Sequence, residues 1–198
     1  MKPIIVLKIG TSTLTAGTEN ISRGKIEDIS RQILELKKEY SVILVSSGAI
    51  ATARQFIKLN NEKKIIKNKS ALSAIGQPKL MQIYIEVFND FGLNAAQCLL
   101  THYDLKGNDS RVNTKETILE LLKHDYIPIV NENDTVAVEE IILGDNDKLS
   151  AMVAELVGAS KLVIASDIDG IFNGNPNLNP NAKLIEEVKT IDEIKPFI

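Results

Sequence analysis

The chain of 198 residues is short of several things, and each shortage excludes a class of function. It has one cysteine, Cys98, so an internal disulfide and any CxxC zinc or redox site are excluded. Arginine is confined to Arg23, Arg31, Arg54 and Arg111, and 23 Lys+Arg against 26 Asp+Glu gives a net charge of −3. No basic stripe exists to displace counterions from a phosphate backbone, so no nucleic-acid partner is expected. No apolar run approaches the roughly 18 residues of a membrane helix, so no membrane partner is expected. The apolar run Ile4 to Leu7 is too short for a secretory signal and ends at Lys8. These absences predict a soluble, cytoplasmic protein. Hydrophobic residues at 44% and charged residues at 25% are ordinary globular usage, enough for a substantial core.

Short β-branched runs alternate with longer stretches of helical period. Strands are predicted over Pro3–Ile9, Val42–Ser46, Asn94–Leu100, Tyr126–Val130 and Lys161–Ser166. Their near-continuous apolar character suits strands covered on both faces, as in a parallel sheet. Ile26, Ile29, Ile33 and Leu36 share one helical face. Leu72, Ile75, Leu80, Ile83, Val87 and Phe91 form a second stripe, and Leu149, Met152, Val153, Leu156 and Val157 a third, with Gly158 as its stop. Ile118, Leu119 and Leu122 mark a shorter helix. Strand–helix alternation predicts an α/β fold, a three-layer α/β/α sandwich with a mainly parallel sheet. Asn173–Asn181, with its prolines and glycine, is the one clear irregular loop.

In such sheets, ligands bind at the carboxyl ends of the strands. The loops there carry Gly10-Thr11-Ser12-Thr13, Ser46-Ser47-Gly48-Ala49, Asn131-Glu132-Asn133-Asp134-Thr135 and Ser166-Asp167-Ile168-Asp169-Gly170, and Gly144-Asp145-Asn146-Asp147 opens the third striped helix. Singly, each has a plain structural reading. A lysine within an apolar strand commonly lies at an edge or snorkels, Gly and Ser form turns, and Asp145 and Asp147 serve as helix caps. Together they supply a cation, small backbone donors and several acidic or amide groups, but no obvious nucleophile. Lys8 suits charge on a transferring phosphoryl group, and Asp134 suits an ammonium. Gly10 and Gly48 allow backbone N–H groups to approach an anion. The set points to phosphoryl transfer, or to a phosphate ligand bound beside a small zwitterion. P-loop, dinucleotide, protein-kinase and nucleophile-elbow motifs are absent, and His102 and His124 have no flanking ligand pattern. Cys98, inside an apolar run, reads as a buried inert thiol.

The segments Lys8-Ile9-Gly10-Thr11-Ser12, Ser46-Ser47-Gly48-Ala49-Ile50, Asn131-Glu132-Asn133-Asp134 and Gly144-Asp145-Asn146-Asp147 resemble the amino acid kinase superfamily, in particular its glutamate-phosphorylating branch. Ala74-Ile75-Gly76-Gln77 and Leu99-Leu100-Thr101 join the resemblance, which runs from about residue 3 to 190. It implies ATP-dependent phosphorylation of the γ-carboxylate of L-glutamate, the first step of proline biosynthesis. The resemblance assigns Lys8 and Asp147 as the catalytic pair, Asp147 orienting the lysine. Ser47, Asp134 and Asn146 would hold glutamate, while Lys8, Gly10, Thr11, Ser166 and Asp167 would face ATP. Magnesium would arrive with ATP, without a protein ligand. Homo-oligomers and proline feedback are implied by the family alone. Residues 1–198 would form one domain, with about 1–143 binding the amino acid and about 144–198 opening the nucleotide-binding part. The family continues into a Gly-rich stretch with a second lysine that these residues lack, so a C-terminally incomplete domain is expected. Two other readings stay open: a superfamily kinase for acetylglutamate, aspartate or a nucleoside monophosphate, and a non-catalytic ligand-binding regulatory module.

Overall fold

The computed structural model describes residues 2–55, 57, 65–136, 146–166, 168–176 and 178–197. It divides into two compact units, Met1–Ala165 and Ser166–Ile198. The first contains five strands, β1 (Ile4–Ile9), β2 (Ser41–Ser46), β3 (Asn94–Leu100), β4 (Tyr126–Glu132) and β5 (Lys161–Ala165). Every pairing between them is parallel, in the order β3-β4-β2-β1-β5. The described helices of this unit are α1 (Thr11–Thr15), α2 (Arg23–Leu36), α3 (Ala49–Arg54), α4 (Ile65–Asp90), α5 (His102–Lys106), α6 (Asn108–Lys123) and α7 (Asn146–Val157).

The two-residue period of the strands divides the core into two halves. Ile5, Leu7 and Ile9 of β1, with Val42 and Leu44 of β2 and Ile127 and Ile129 of β4, pack against Ile26, Ile29 and Ile33 of α2 and Leu80, Tyr84, Val87 and Phe88 of α4. Ile4 and Val6, with Ile43, Val45 and Val130, pack against Leu105, Ile118, Val153, Leu156 and Val157 on the other face. The expected sandwich is therefore present, and the strands need their near-continuous apolar character because both faces are covered.

Several details differ from expectation. β4 runs two residues past Val130, because Leu99 and Leu100 of β3 continue the ladder to Asn131 and Glu132. Asn131 is thus a buried strand residue rather than a loop residue. The buried face of α4 is wider than its predicted stripe and adds Met81, Tyr84 and Phe88, the two aromatic rings meeting edge to face at 5.6 Å. Helices α1, α3 and α5, of five or six residues, are too short to show a period. Gly158 does close α7, with φ +66 and an Ala159 N–H to Ala154 O bond.

In the second unit, Phe172 and Leu184 form an antiparallel bridge that flanks the irregular loop, and Ile191–Glu193 and Lys195–Phe197 are short 3₁₀ turns.

Candidate active site

Alternation along β1 places Lys8 on the same face as Ile4 and Val6, the face covered by α7. β1 is an interior strand between β2 and β5, and Lys8 is 7% exposed. The edge or snorkelling reading of this lysine is therefore corrected. Its Nζ lies 2.5 Å from Oδ1 of Asp147 in the first turn of α7. A buried ammonium needs such a counter-charge, since desolvation alone would cost several kcal/mol. The lysine side chain is 9% exposed and that of Asp147 44%, so the pair opens to solvent on the aspartate side.

Asn146, also in the first turn, is buried. Its Nδ2 donates to Ser47 Oγ and to Asn131 Oδ1, both at 2.9 Å. Ser47 follows β2 directly, and its backbone N–H donates to Ile9 O, holding the loop against the end of β1. The next residue, Gly48, has φ +107, where an L side chain is strained, and its missing Cβ would lie 3.1 Å from Ile21 and 3.2 Å from Leu14. Glycine here is a steric requirement of the turn.

Asp134 lies beyond β4, half-buried, with Oδ2 accepting from Ser73 Oγ at 2.5 Å. Burial raises its carboxyl pKa and the Ser73 hydrogen bond opposes the rise. Gly10 precedes α1 in extended conformation, and a Cβ there would be 3.7 Å from Lys8 Nζ. Thr11 is exposed at the start of α1 and lines a cavity of about 330 Å³ with Ser12, Thr15, Asn20 and Arg54. Ser166 opens the second unit, where its Oγ accepts the Ile168 N–H at 3.3 Å. Asp167, Gly144 and Asp145 lie outside the described residues.

Lys8, Asp147, Asn146 and Ser47 are thus brought together, and Asp134 is joined to them through α4. Gln77 Oε1 accepts from Asn131 Nδ2 at 2.8 Å, one turn beyond Ser73. Two turns further along, the hydroxyl of Tyr84 lies 2.8 Å from Ser46 Oγ. Ser46 Oγ in turn donates to Ser47 O. No role was expected for Ser73, Gln77, Tyr84 or Asn131. Their signal was present, because Ser73, Gln77 and Tyr84 recur at i, i+4 and i+11 and interrupt an apolar face with polar atoms. Gly76 lets this helix approach: a Cβ on it would lie 1.8 Å from Ala49 O of α3.

His124 pairs with Glu120 on an exposed face of α6, and Cys98 has its thiol pushed up to about 11 by burial. Among the described residues, no group of three or more His, Cys, Asp or Glu could hold a metal ion.

The amino acid kinase family model matches residues 3–196. The glutamate 5-kinase of Vibrio campbellii is 45% identical over 190 residues, which is 96% of this chain and 50% of that protein. The glutamate 5-kinase of Dictyoglomus thermophilum is 46% identical over 190 residues, 96% of this chain and 51% of that protein. The chain spans about half the length of the curated relatives it matches. In fold it is similar to the UMP kinase of Ureaplasma parvum, with TM-score 0.66 and 19% identity, covering 98% of this chain and 79% of that one. With a match over almost its whole length and a parallel sandwich in which Lys8, Ser47, Asn146 and Asp147 are brought together, the chain belongs to the amino acid kinase family.

Proposed function

We propose that this chain phosphorylates the γ-carboxylate of L-glutamate with ATP, giving glutamyl 5-phosphate, the first step of proline biosynthesis. The observation that carries this reading is the Lys8–Asp147 ion pair, adjoining the Asn146–Ser47 hydrogen bond, in a chain 45% identical to a glutamate 5-kinase. The γ-carboxylate, with an ordinary pKa of about 4.3, is already ionised at neutral pH and needs no general base. One of its oxygens attacks the γ-phosphorus of ATP in line, and the bond to the ADP oxygen breaks. Positioning and charge neutralisation are then the whole task, which suits a cluster without histidine or cysteine.

In this proposal Lys8 neutralises charge on the transferring group, and Asp147 holds the ammonium in place. Ser47 and Asn146 hold glutamate by hydrogen bonds. Asp134 accepts the substrate ammonium in a charge-assisted bond, which favours a free amine over an acylated one. About 1–143 serves mainly the amino acid and about 144–198 mainly the nucleotide, with Gly10 and Thr11 of the first part assigned, like Ser166 and Asp167, to the nucleotide and Asn146 of the second to glutamate. Magnesium would arrive with ATP, without a protein ligand, as the family resemblance implies. Carried by ATP, it would offset phosphate charge. A cytoplasmic location is proposed, supported by the lack, among the described residues, of any helix long and apolar enough to cross a membrane. Assembly into homo-oligomers is proposed from the family alone.

The test is hydroxylamine trapping of the acyl phosphate, using this chain with ATP, Mg²⁺ and, in parallel, glutamate, acetylglutamate, aspartate or UMP. Trapped product is expected with glutamate. Its absence at every concentration, or turnover of another acceptor instead, would overturn the reading.

A further inference from the structure

The hydrogen bonds around Asn131 have a direction that the backbone imposes. The backbone N–H of Glu132 donates to Asn131 Oδ1 at 2.9 Å, and a backbone N–H can only donate. The side-chain oxygen of Asn131 therefore faces Glu132 and Asn146, and its Nδ2 must face Gln77. That amide orientation, ordinarily ambiguous, is settled by the pairing. Gln77 answers with Oε1, although this leaves its own Nε2 buried without a partner among the described residues. The reverse orientation would set the two NH₂ groups against each other. Asn146, meeting an oxygen on Asn131, presents Nδ2 there and to Ser47. Ser47 Oγ is thereby an acceptor from Asn146, and its hydroxyl hydrogen has no acceptor among the described residues.

We propose that Gln77 is a positioning residue: by accepting from the Asn131 Nδ2 that the Glu132 N–H turns toward it, Gln77 secures the Asn131–Asn146 chain in the sense the backbone imposes, so that the Ser47 hydroxyl is a donor toward an anionic oxygen of the substrate. This rests on the reading of the site as a glutamate site. The donor left over at the site, Ser47 O–H, is suited to a carboxylate and unsuited to an ammonium. Asp134, joined to the same helix through Ser73, supplies the opposite preference. Helix α4 thus sets the polarity of the site at two points.

The direction can be read first in the ligand-free wild-type chain by NMR. Scalar coupling across the hydrogen bond from Asn131 Nδ2 to the Gln77 side-chain carbonyl carbon is expected. Coupling in the opposite sense, from Gln77 Nε2 to the Asn131 carbonyl carbon, would overturn the proposal whether or not the chain turns over. The second arm is a double-mutant cycle on KM for glutamate. Gln77→Met is expected to raise it roughly tenfold, the scale of a hydrogen bond to a charged group, with KM for ATP unchanged. In combination with Ser47→Ala it should add nothing beyond Ser47→Ala alone. Multiplying factors, or equal rises in both KM values, would show that Gln77 does not act through Ser47. A wild-type chain that traps no glutamyl phosphate but shows the expected coupling would remove the activity reading and leave the polarity assignment standing.

Discussion

Lys8 Nζ and Asp147 Oδ1 are 2.5 Å apart, which ties the buried end of β1 to the first turn of α7. The pair is asymmetric, a buried cation against a half-exposed carboxylate, so the positive end is the one fixed by the fold. A fixed cation that need not reorganise during reaction is what stabilisation of a developing charge requires.

For that reason Lys8→Ala is expected to lower kcat by about two to three orders of magnitude, the cost of removing one preorganised donor. Lys8→Arg should fail to restore it, since a planar fork does not replace a point charge in a packed strand. Steady-state kinetics check both. Near-normal kcat in Lys8→Ala would remove the lysine from the chemistry.

The Ser73–Asp134 bond makes a pH prediction. Burial raises the Asp134 pKa and Ser73 lowers it, so the net raised value means that the carboxylate is lost at a higher pH than an exposed one. Ionised Asp134 is the form that pairs with an ammonium. In Ser73→Ala the lowering influence is gone, and the acid limb of kcat/KM for glutamate should move to higher pH, with the neutral plateau less affected. The linkage sign agrees: a raised folded-state pKa means ionisation costs stability, so stability is lost as pH rises through it, more so in the variant. An acid limb that stays in place would contradict this role.

Gly76→Ala should destabilise the chain by about 3 kcal/mol or more, because the new Cβ meets the Ala49 carbonyl oxygen at 1.8 Å and neither helix backbone can yield locally. Gly92→Ala offers a contrast. Its Cβ would meet nothing within 4 Å, but φ is +66, so only about 1–2 kcal/mol of left-handed strain is expected. Denaturant unfolding of both variants measures the difference, and equal losses would show that α3 and α4 are not in close backbone contact.

Cys98 should be a poor nucleophile. A thiol pushed up to about 11 by burial has, near pH 8, roughly a hundredfold less thiolate than an ordinary cysteine. Iodoacetamide should modify the native chain correspondingly slowly and the denatured chain at the usual rate. Fast alkylation of the native chain would contradict the burial.

Much of the architecture was legible from local pattern. Five apolar runs became five strands within one or two residues of expectation, because each strand is covered on both faces and carries that burial in its own composition. Ile26, Ile29 and Ile33 of α2, and Val153, Leu156 and Val157 of α7, bury the predicted faces for the same reason. The end of β4 was not legible, since Asn131 and Glu132 are polar and join the strand only through pairing with Leu99 and Leu100. Nor were the five- and six-residue helices, which complete too few turns to show a period.

What the chain's own residue order determined is the alternation of buried strands and one-sided helices, and with it a parallel sandwich whose polar loops fall at one end. What only tertiary structure decided is who meets whom there. The order β3-β4-β2-β1-β5 makes β1 an interior strand, which turns Lys8 from an edge residue into a buried cation needing Asp147. The packing of α4 across Ala49 brings Ser73 to Asp134 and Gln77 to Asn131. Periodicity is a property of neighbours along the chain, whereas these contacts depend on strand order and on how closely two helices can approach.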